Sequence, residues 1–210
     1  MSESLLTDVR PLPEAITGRV RQQLNFIVEC DRMKDIIRRS PLATSERREN
    51  DAEHSWHLAL MAILLAEYSD EPVDLGHTVM LVVIHDLIEI YAGDTPLYDN
   101  AGRVDQAERE MAAAERLFAL LPADQAVGMR ALWDEFEACK TPEARFAKAM
   151  DRLEPQLLNW MAGGGTWQTP GVTGADVRAR KYAIADASAT LESVSGAIID
   201  EAEKRGYIRS

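Results

Sequence analysis

Residues 82–94 read VVIHDLIEIYAGD, and the fold turns on this stretch. By composition alone, VMLVVI at 79–84 could be a buried strand. Length decides otherwise: the apolar pattern continues to Tyr91 without a breaker, past the roughly four to eight residues of a strand. The reading is a helix over residues 74–91. Asp86 and Glu89 then sit among apolar neighbours, where an unpartnered carboxylate is costly or becomes neutralised. Something must meet Asp86. A cation is the economical answer, because His85 offers a neutral nitrogen and adjacent helical side chains diverge by only about 100°.

Two more helices carry the same anomaly. Residues 52–68, with Asp51 as N-cap, are apolar almost all round, which predicts a central helix. His54 heads their stripe of Leu58, Met61 and Leu65. Further on, EARFAKAMDRLEPQLLNW (143–160) sets Asp151 beside Ala147, Met150 and Leu153. Taken singly, each histidine would be a satisfied core residue, and each aspartate a buried partner of Arg47 or Arg145. Their coincidence on three helices favours a metal. Two His and two Asp form a mixed N/O set suited to a borderline or hard divalent cation.

The remaining segments also read as helical, so the expectation is one all-α domain over 1–210. A first helix covers residues 14–37, completing a helical core of about 14–162. Residues 38–50 (RRSPLATSERREN) read as a polar loop with four arginines, of which Arg38 and Arg48 are taken as surface charge. Gly93 and Pro96 end the helix of the opening stretch. Others follow at 104–121, 126–139 and 142–161. GGGTWQTPG (163–171) has the composition of a flexible connector. The last helix, 175–205, spaces Ile184, Ala187, Leu191, Val194 and Ile198 as a packing seam. Trp56, Trp133 and Trp160 read as core.

Among 210 residues the formal net charge is −12. That argues against a nucleic-acid backbone or an anionic membrane as partner, since either needs a basic face. A small phosphate compound is still admissible, because a metal and a few arginines can reverse the sign inside a pocket. Cys30 and Cys139 have no paired-ligand spacing and read as reduced thiols. MSESLLTDVRPLP at the start lacks an apolar signal core, and no apolar run approaches a membrane span. A cytoplasmic protein is expected.

His54, the pair His85-Asp86 and the distant Asp151 match the H…HD…D pattern, and here the chain resembles the HD superfamily of metal-dependent phosphohydrolases. RRENDAEHS (47–55), HDLIEIYAGD (85–94), LLP (120–122) and AKAMD (147–151) are similar to its 5′-deoxynucleotidase branch. The resemblance covers residues 25–160. It implies a helical HD-domain bundle, a homodimer, and one divalent metal (cobalt, manganese, magnesium or zinc) on His54, His85, Asp86 and Asp151. The implied substrate is a deoxynucleoside 5′-monophosphate. Glu89 falls on the catalytic glutamate, with Asp94 and Arg39 on substrate-binding positions. Arg47 is the candidate second arginine on the phosphate. Ser40 departs from the pattern, standing where a relative has tryptophan beside the sugar.

His57 falls on an adjoining face and is read as neither a ligand nor an outer group, and His77 reads as solvated. A two-iron oxygenase would need more ligands than four histidines supply. Another nucleotide or phosphate ester, such as a cyclic nucleotide, a nucleoside triphosphate or an alarmone, is the alternative substrate. A metal-stabilised binding protein without catalysis is the alternative class.

Overall fold

The computed structural model describes residues 10–95, 97, 102 and 104–208. Helices dominate, as expected, with one hairpin among them. The first helix, α1, is shorter than its reading: Gly18–Cys30, tightening into a 3₁₀ turn at Asp31–Asp35. The expected loop at 38–50 is instead an antiparallel hairpin, β1 (Ile37–Leu42) and β2 (Ser45–Asn50), with Ile37 facing Asn50 and Leu42 facing Ser45. Its arginines hide the alternation that announces a strand. Pro41 is tolerated because an isolated two-stranded ribbon leaves donor positions free of a ladder.

The hairpin runs directly into α2 (Asp51–Leu65). Asn50, not Asp51, is the N-cap. Its side chain accepts from the Glu53 amide at 2.9 Å, and the Glu53 carboxylate accepts from the Asn50 amide at 3.2 Å, a reciprocal capping box. Asp51 is thereby turned inward and fully buried. α3 (Leu75–Ile84) opens on the Asp74 cap. The expected helix to residue 91 breaks at 85–88 into i→i+3 turns, with Leu87 N to Ile84 O at 3.1 Å and Glu89 N to Asp86 O at 2.9 Å. The short α4 (Glu89–Ala92) follows and stops at Gly93, whose φ of 77° favours glycine. Pro96 lies outside the described residues. Residues 75–92 are long and apolar enough to cross a bilayer, yet they break here, where His85, Asp86 and Glu89 meet the other helices.

α5 (Gln106–Phe118), α6 (Ala123–Ala138) and α7 (Pro142–Met161) match the sequence reading closely. Thr141 caps α7 and Pro142 occupies its first turn, where a missing amide costs nothing. Leu58 and Met61 of α2, Leu81 of α3, Phe136 of α6 and Met150 of α7 close one core between these helices. A second core joins Phe26 and Met33 to Ile84, Leu117 and Trp133. These cores fix the three elements that face each other at the centre.

The single last helix is instead three: α8 (Gly174–Ala179), α9 (Tyr182–Ala185) and α10 (Ala189–Lys204). Ser188 makes the final break, capping α10 through the Leu191 amide at 3.1 Å and donating to the Tyr68 carbonyl. Ile184, Ala187 and Leu191 are buried in the main core, while Val194 is exposed, so no continuous seam exists. Nor is 163–171 a loose connector. Gly164 and Gly165 have positive φ, and a Cβ on either would collide with Gln168 or Asn159. Trp167 from this segment is buried with Val177, Ile199 and Ile208. Trp133 is core as expected and Trp160 half-buried, but Trp56 is 65% exposed. With Ile63 and Leu64 also exposed, α2 has an apolar outer face rather than neighbours all round.

Cys139 ends α6 at φ 50°, a left-handed conformation a side chain resists. Cys139→Gly is expected to gain about 1 kcal/mol, read as a rise in Tm of about 2–4 °C. A lower Tm would mean that packing of the thiol outweighs the relieved backbone.

Candidate metal centre

Three elements deliver the predicted ligands to one point. α2 presents His54, the turn after α3 presents His85 and Asp86, and α7 presents Asp151. All four are buried. His54 Nε2 lies 3.3 Å from Asp151 Oδ1 and 3.8 Å from Asp86 Oδ2. His85 Nε2 lies 3.0 Å from Asp86 Oδ1 and 3.9 Å from Asp151 Oδ1. His85 Nδ1 sits 2.8 Å from the Val82 carbonyl and can only donate to it. In a neutral ring the lone pair is therefore on Nε2, and that buried atom has no hydrogen-bond partner. A lone pair thus faces carboxylate oxygens, acceptor against acceptor. A cation between them resolves the conflict, and the donor set fits a divalent metal.

The outer side of His54 also faces carboxylates, at contact distance and without a hydrogen bond. Its Nδ1 lies 3.4 Å from both Glu49 Oε2 and Glu154 Oε2, two buried carboxylates. His57 Nδ1 meets the other oxygen of Glu154 at 3.0 Å and stacks on Trp56. A carboxylate behind a ligating imidazole fixes its tautomer and raises its basicity. Burial disfavours charge on His54, but Asp151, Glu154 and Glu49 outweigh it and raise its pKa well above the usual range. Despite its own burial, Asp151 is held well below the carboxylate range by Arg152 and His54.

Arg38 corrects the surface reading. Its side chain is largely buried, and Nη1 donates to Asp86 Oδ2 at 2.8 Å and to Asp51 Oδ1 at 3.0 Å. Glu89, at the start of α4, brings a carboxylate oxygen within 4.8 Å of those of Asp51 and Asp86. Burial, then the Asp86 and Asp51 charges, push its pKa well above the usual range.

Two cavities, of about 590 Å³ and 350 Å³, meet at Arg38, Asp94, Asp151 and Arg152. Glu89 lines the smaller one, and Asp94 lines both. Arg39 is exposed on the wall of the larger, where no hydrogen bond or ion pair engages it among the described residues. Arg48 lines the same wall. Arg47 lies away from both cavities, held by Glu53 through two contacts of 2.8 Å. Ser40 is buried in the larger cavity's wall, which Trp167 also lines. His77, read as solvated, pairs with Glu135 at 2.8 Å.

Sequence reasoning missed Arg38, Asp51, Glu49 and Glu154. One signal was available: Glu154 follows Asp151 by three residues and His57 follows His54 by three, so both helices offer a second polar rung on one face.

The HD domain pattern matches residues 30–192. The chain belongs to the HD domain family. A structure described as a predicted metal-dependent phosphohydrolase from Magnetospirillum magnetotacticum MS-1 superposes on this HD domain protein with a TM-score of 0.87. It is 50% identical, and the match covers 91% of this chain and 96% of that one. A 5′-deoxynucleotidase from Bos taurus is 30% identical over 141 residues, 66% of this chain and 67% of the relative. One from Xenopus laevis is 32% identical over 109 residues, 52% of this chain and 53% of the relative. The HD domain protein thus spans between half and two thirds of these relatives. Its buried His/Asp cluster is consistent with the metal site that the description of the Magnetospirillum structure implies.

Glu154→Gln keeps the volume but removes the charge behind His54. It is expected to weaken metal affinity by about 10–100-fold, measured by competition with a chromogenic chelator. An unchanged affinity would deny Glu154 that supporting role.

Proposed function

We propose that this HD domain protein is a 5′-deoxynucleotidase, releasing phosphate from deoxynucleoside 5′-monophosphates. One divalent ion (cobalt, manganese, magnesium or zinc) would be held by His54, His85, Asp86 and Asp151. The observation that carries the reading is the partnerless Nε2 of His85, facing carboxylates where two cavities meet. The similarity to deoxynucleotidases from cattle and frog supports the substrate class.

When bound, the metal supplies a water of lowered pKa and polarises a phosphoryl oxygen. The chain's own residues do the rest. Arg39, unengaged on the larger cavity's wall, neutralises the phosphate dianion, with guanidinium geometry suited to two oxygens. Asp94, on both cavities, positions the sugar. Water adds to phosphorus as the bond to the 5′ oxygen breaks, and Glu89 hands its proton to that departing oxygen. A carboxyl kept in the acid form by burial and by its carboxylate neighbours is suited to this. Arg47, committed to Glu53, takes no part in this scheme.

Metal-stripped protein resupplied with cobalt or manganese is expected to release phosphate from dAMP, dGMP, dCMP, TMP and dUMP in preference to AMP and GMP. Equal rates on the ribonucleotides would remove the deoxyribose selectivity, which Ser40 leaves to other wall residues. Release from other phosphate esters alone would replace the substrate class. Glu89→Gln should lower kcat by about 10²–10⁴-fold while metal uptake stays intact. Turnover within a few-fold of wild type would sink the proton-donor role.

We also propose a homodimer through the outer face of α2 and α3. Trp56, Ile63, Leu64, Met80 and Val83 are exposed on these two helices, and an exposed apolar face of this kind marks an interaction surface. Ile63→Asp is expected to shift the mass seen by light scattering from two chains to one. A wild-type protein of single-chain mass would refute it.

A further inference from the structure

Asp86 faces two ways. Its Oδ1 lies 3.0 Å from His85 Nε2, on the side of the proposed metal, and its Oδ2 lies 2.8 Å from Arg38 Nη1. That is how a carboxylate shared between two cations is disposed, and the second cation here is a guanidinium. Around it stand Asp51 at 3.0 Å and Glu49 at 3.7 Å from Arg38 nitrogens. Oxygens of Asp51, Asp86 and Glu89 lie within 4.8 Å of one another, an all-oxygen triad of the type that holds magnesium or manganese. One guanidinium does not satisfy them all: Asp51 Oδ2 and Glu89 Oε2 are buried with no hydrogen-bond partner.

We infer that Arg38 is a built-in counter-cation, occupying with its guanidinium the place a second divalent ion would take among Asp51, Asp86 and Glu89, and so limiting the centre to one metal. The inference rests on the metal reading of His54, His85, Asp86 and Asp151. Charge explains why an arginine serves. Asp51 has no other cationic side chain in ion-pair range among the described residues, so without Arg38 its repulsion against Asp86 is uncompensated on that side. Two-metal phosphohydrolase sites place their ions about 3.5–4 Å apart across shared ligands. Arg38 converts that architecture into one metal plus one fixed positive charge. Because Arg38 lines both cavities, removing its side chain opens the triad to ions from solvent.

The test is metal counting with a spectroscopic readout. Metal-stripped full-length protein is titrated with Mn(II), desalted, and measured by elemental analysis and by electron paramagnetic resonance. Wild type and Arg38→Lys are expected to hold one equivalent with the six-line signal of an isolated ion. Arg38→Ser is expected to hold two, the six-line signal giving way to that of a spin-coupled pair. Two tightly bound ions in wild type, or one ion in Arg38→Ser, would overturn the inference. Should Arg38→Ser fail to fold by circular dichroism, Arg38→Gln is judged by the same count, since it retains volume and donors without charge. Wild-type protein that takes up no Mn(II), cobalt or zinc would overturn the metal reading itself and this inference with it.

Discussion

The structure is organised around acceptors that must not be left facing acceptors. His85 has its donor side committed to a backbone carbonyl, so its free nitrogen points at Asp86 and Asp151. Four more carboxylates, Glu49, Asp51, Glu89 and Glu154, sit within a few ångströms of this point or of His54. An interior of low dielectric makes such a cluster very unfavourable without positive charge. Folding these helices together is therefore conditional on compensation, and the protein supplies part of it through Arg38, His57 and Arg152. The rest is left for a cation.

Local structure serves this arrangement. The capping box at Asn50 and Glu53 sets the first turn of α2 so that Asp51 and His54 both point inward. The tightening at 85–88 reorients what would have been one long helix, so that His85, Asp86 and Glu89 surround the centre instead of spiralling away from it. Short 3₁₀ passages of this sort commonly mark functional positions. The hairpin, which has almost no core of its own, is held by what it delivers: Arg38 to the acids and Ser40 to the cavity wall.

How much of this could be read in advance depended on range. Helices α5, α6 and α7 are legible because periodicity, Thr141 and Pro142 are local signals. His54, His85, Asp86 and Asp151 are legible because each is a polar intrusion in an apolar stripe. Arg38 was not: an arginine among arginines, its burial depends on acids from elements far along the chain. The hairpin was hidden for the same reason, since charged strands give no alternation. Ser188 broke the last helix because its hydroxyl caps α10 while bonding a carbonyl over a hundred residues away, a contact no window could reveal. Trp56 departs from expectation because α2 is apolar on all sides without being buried on all sides.

His54 and Asp151 are 97 residues apart, as are His57 and Glu154, so both rungs of the centre exist only once α2 and α7 have docked. The unfolded chain keeps only the neighbouring pair His85 and Asp86, a far poorer chelator. Metal binding and global folding are then one linked equilibrium, in which the ion is a ligand of the native state alone. Each tenfold rise in free ion above its dissociation constant adds about 1.4 kcal/mol to the unfolding free energy. Under the proposed function, free-ion concentration would then govern this protein's resistance to unfolding as well as its turnover.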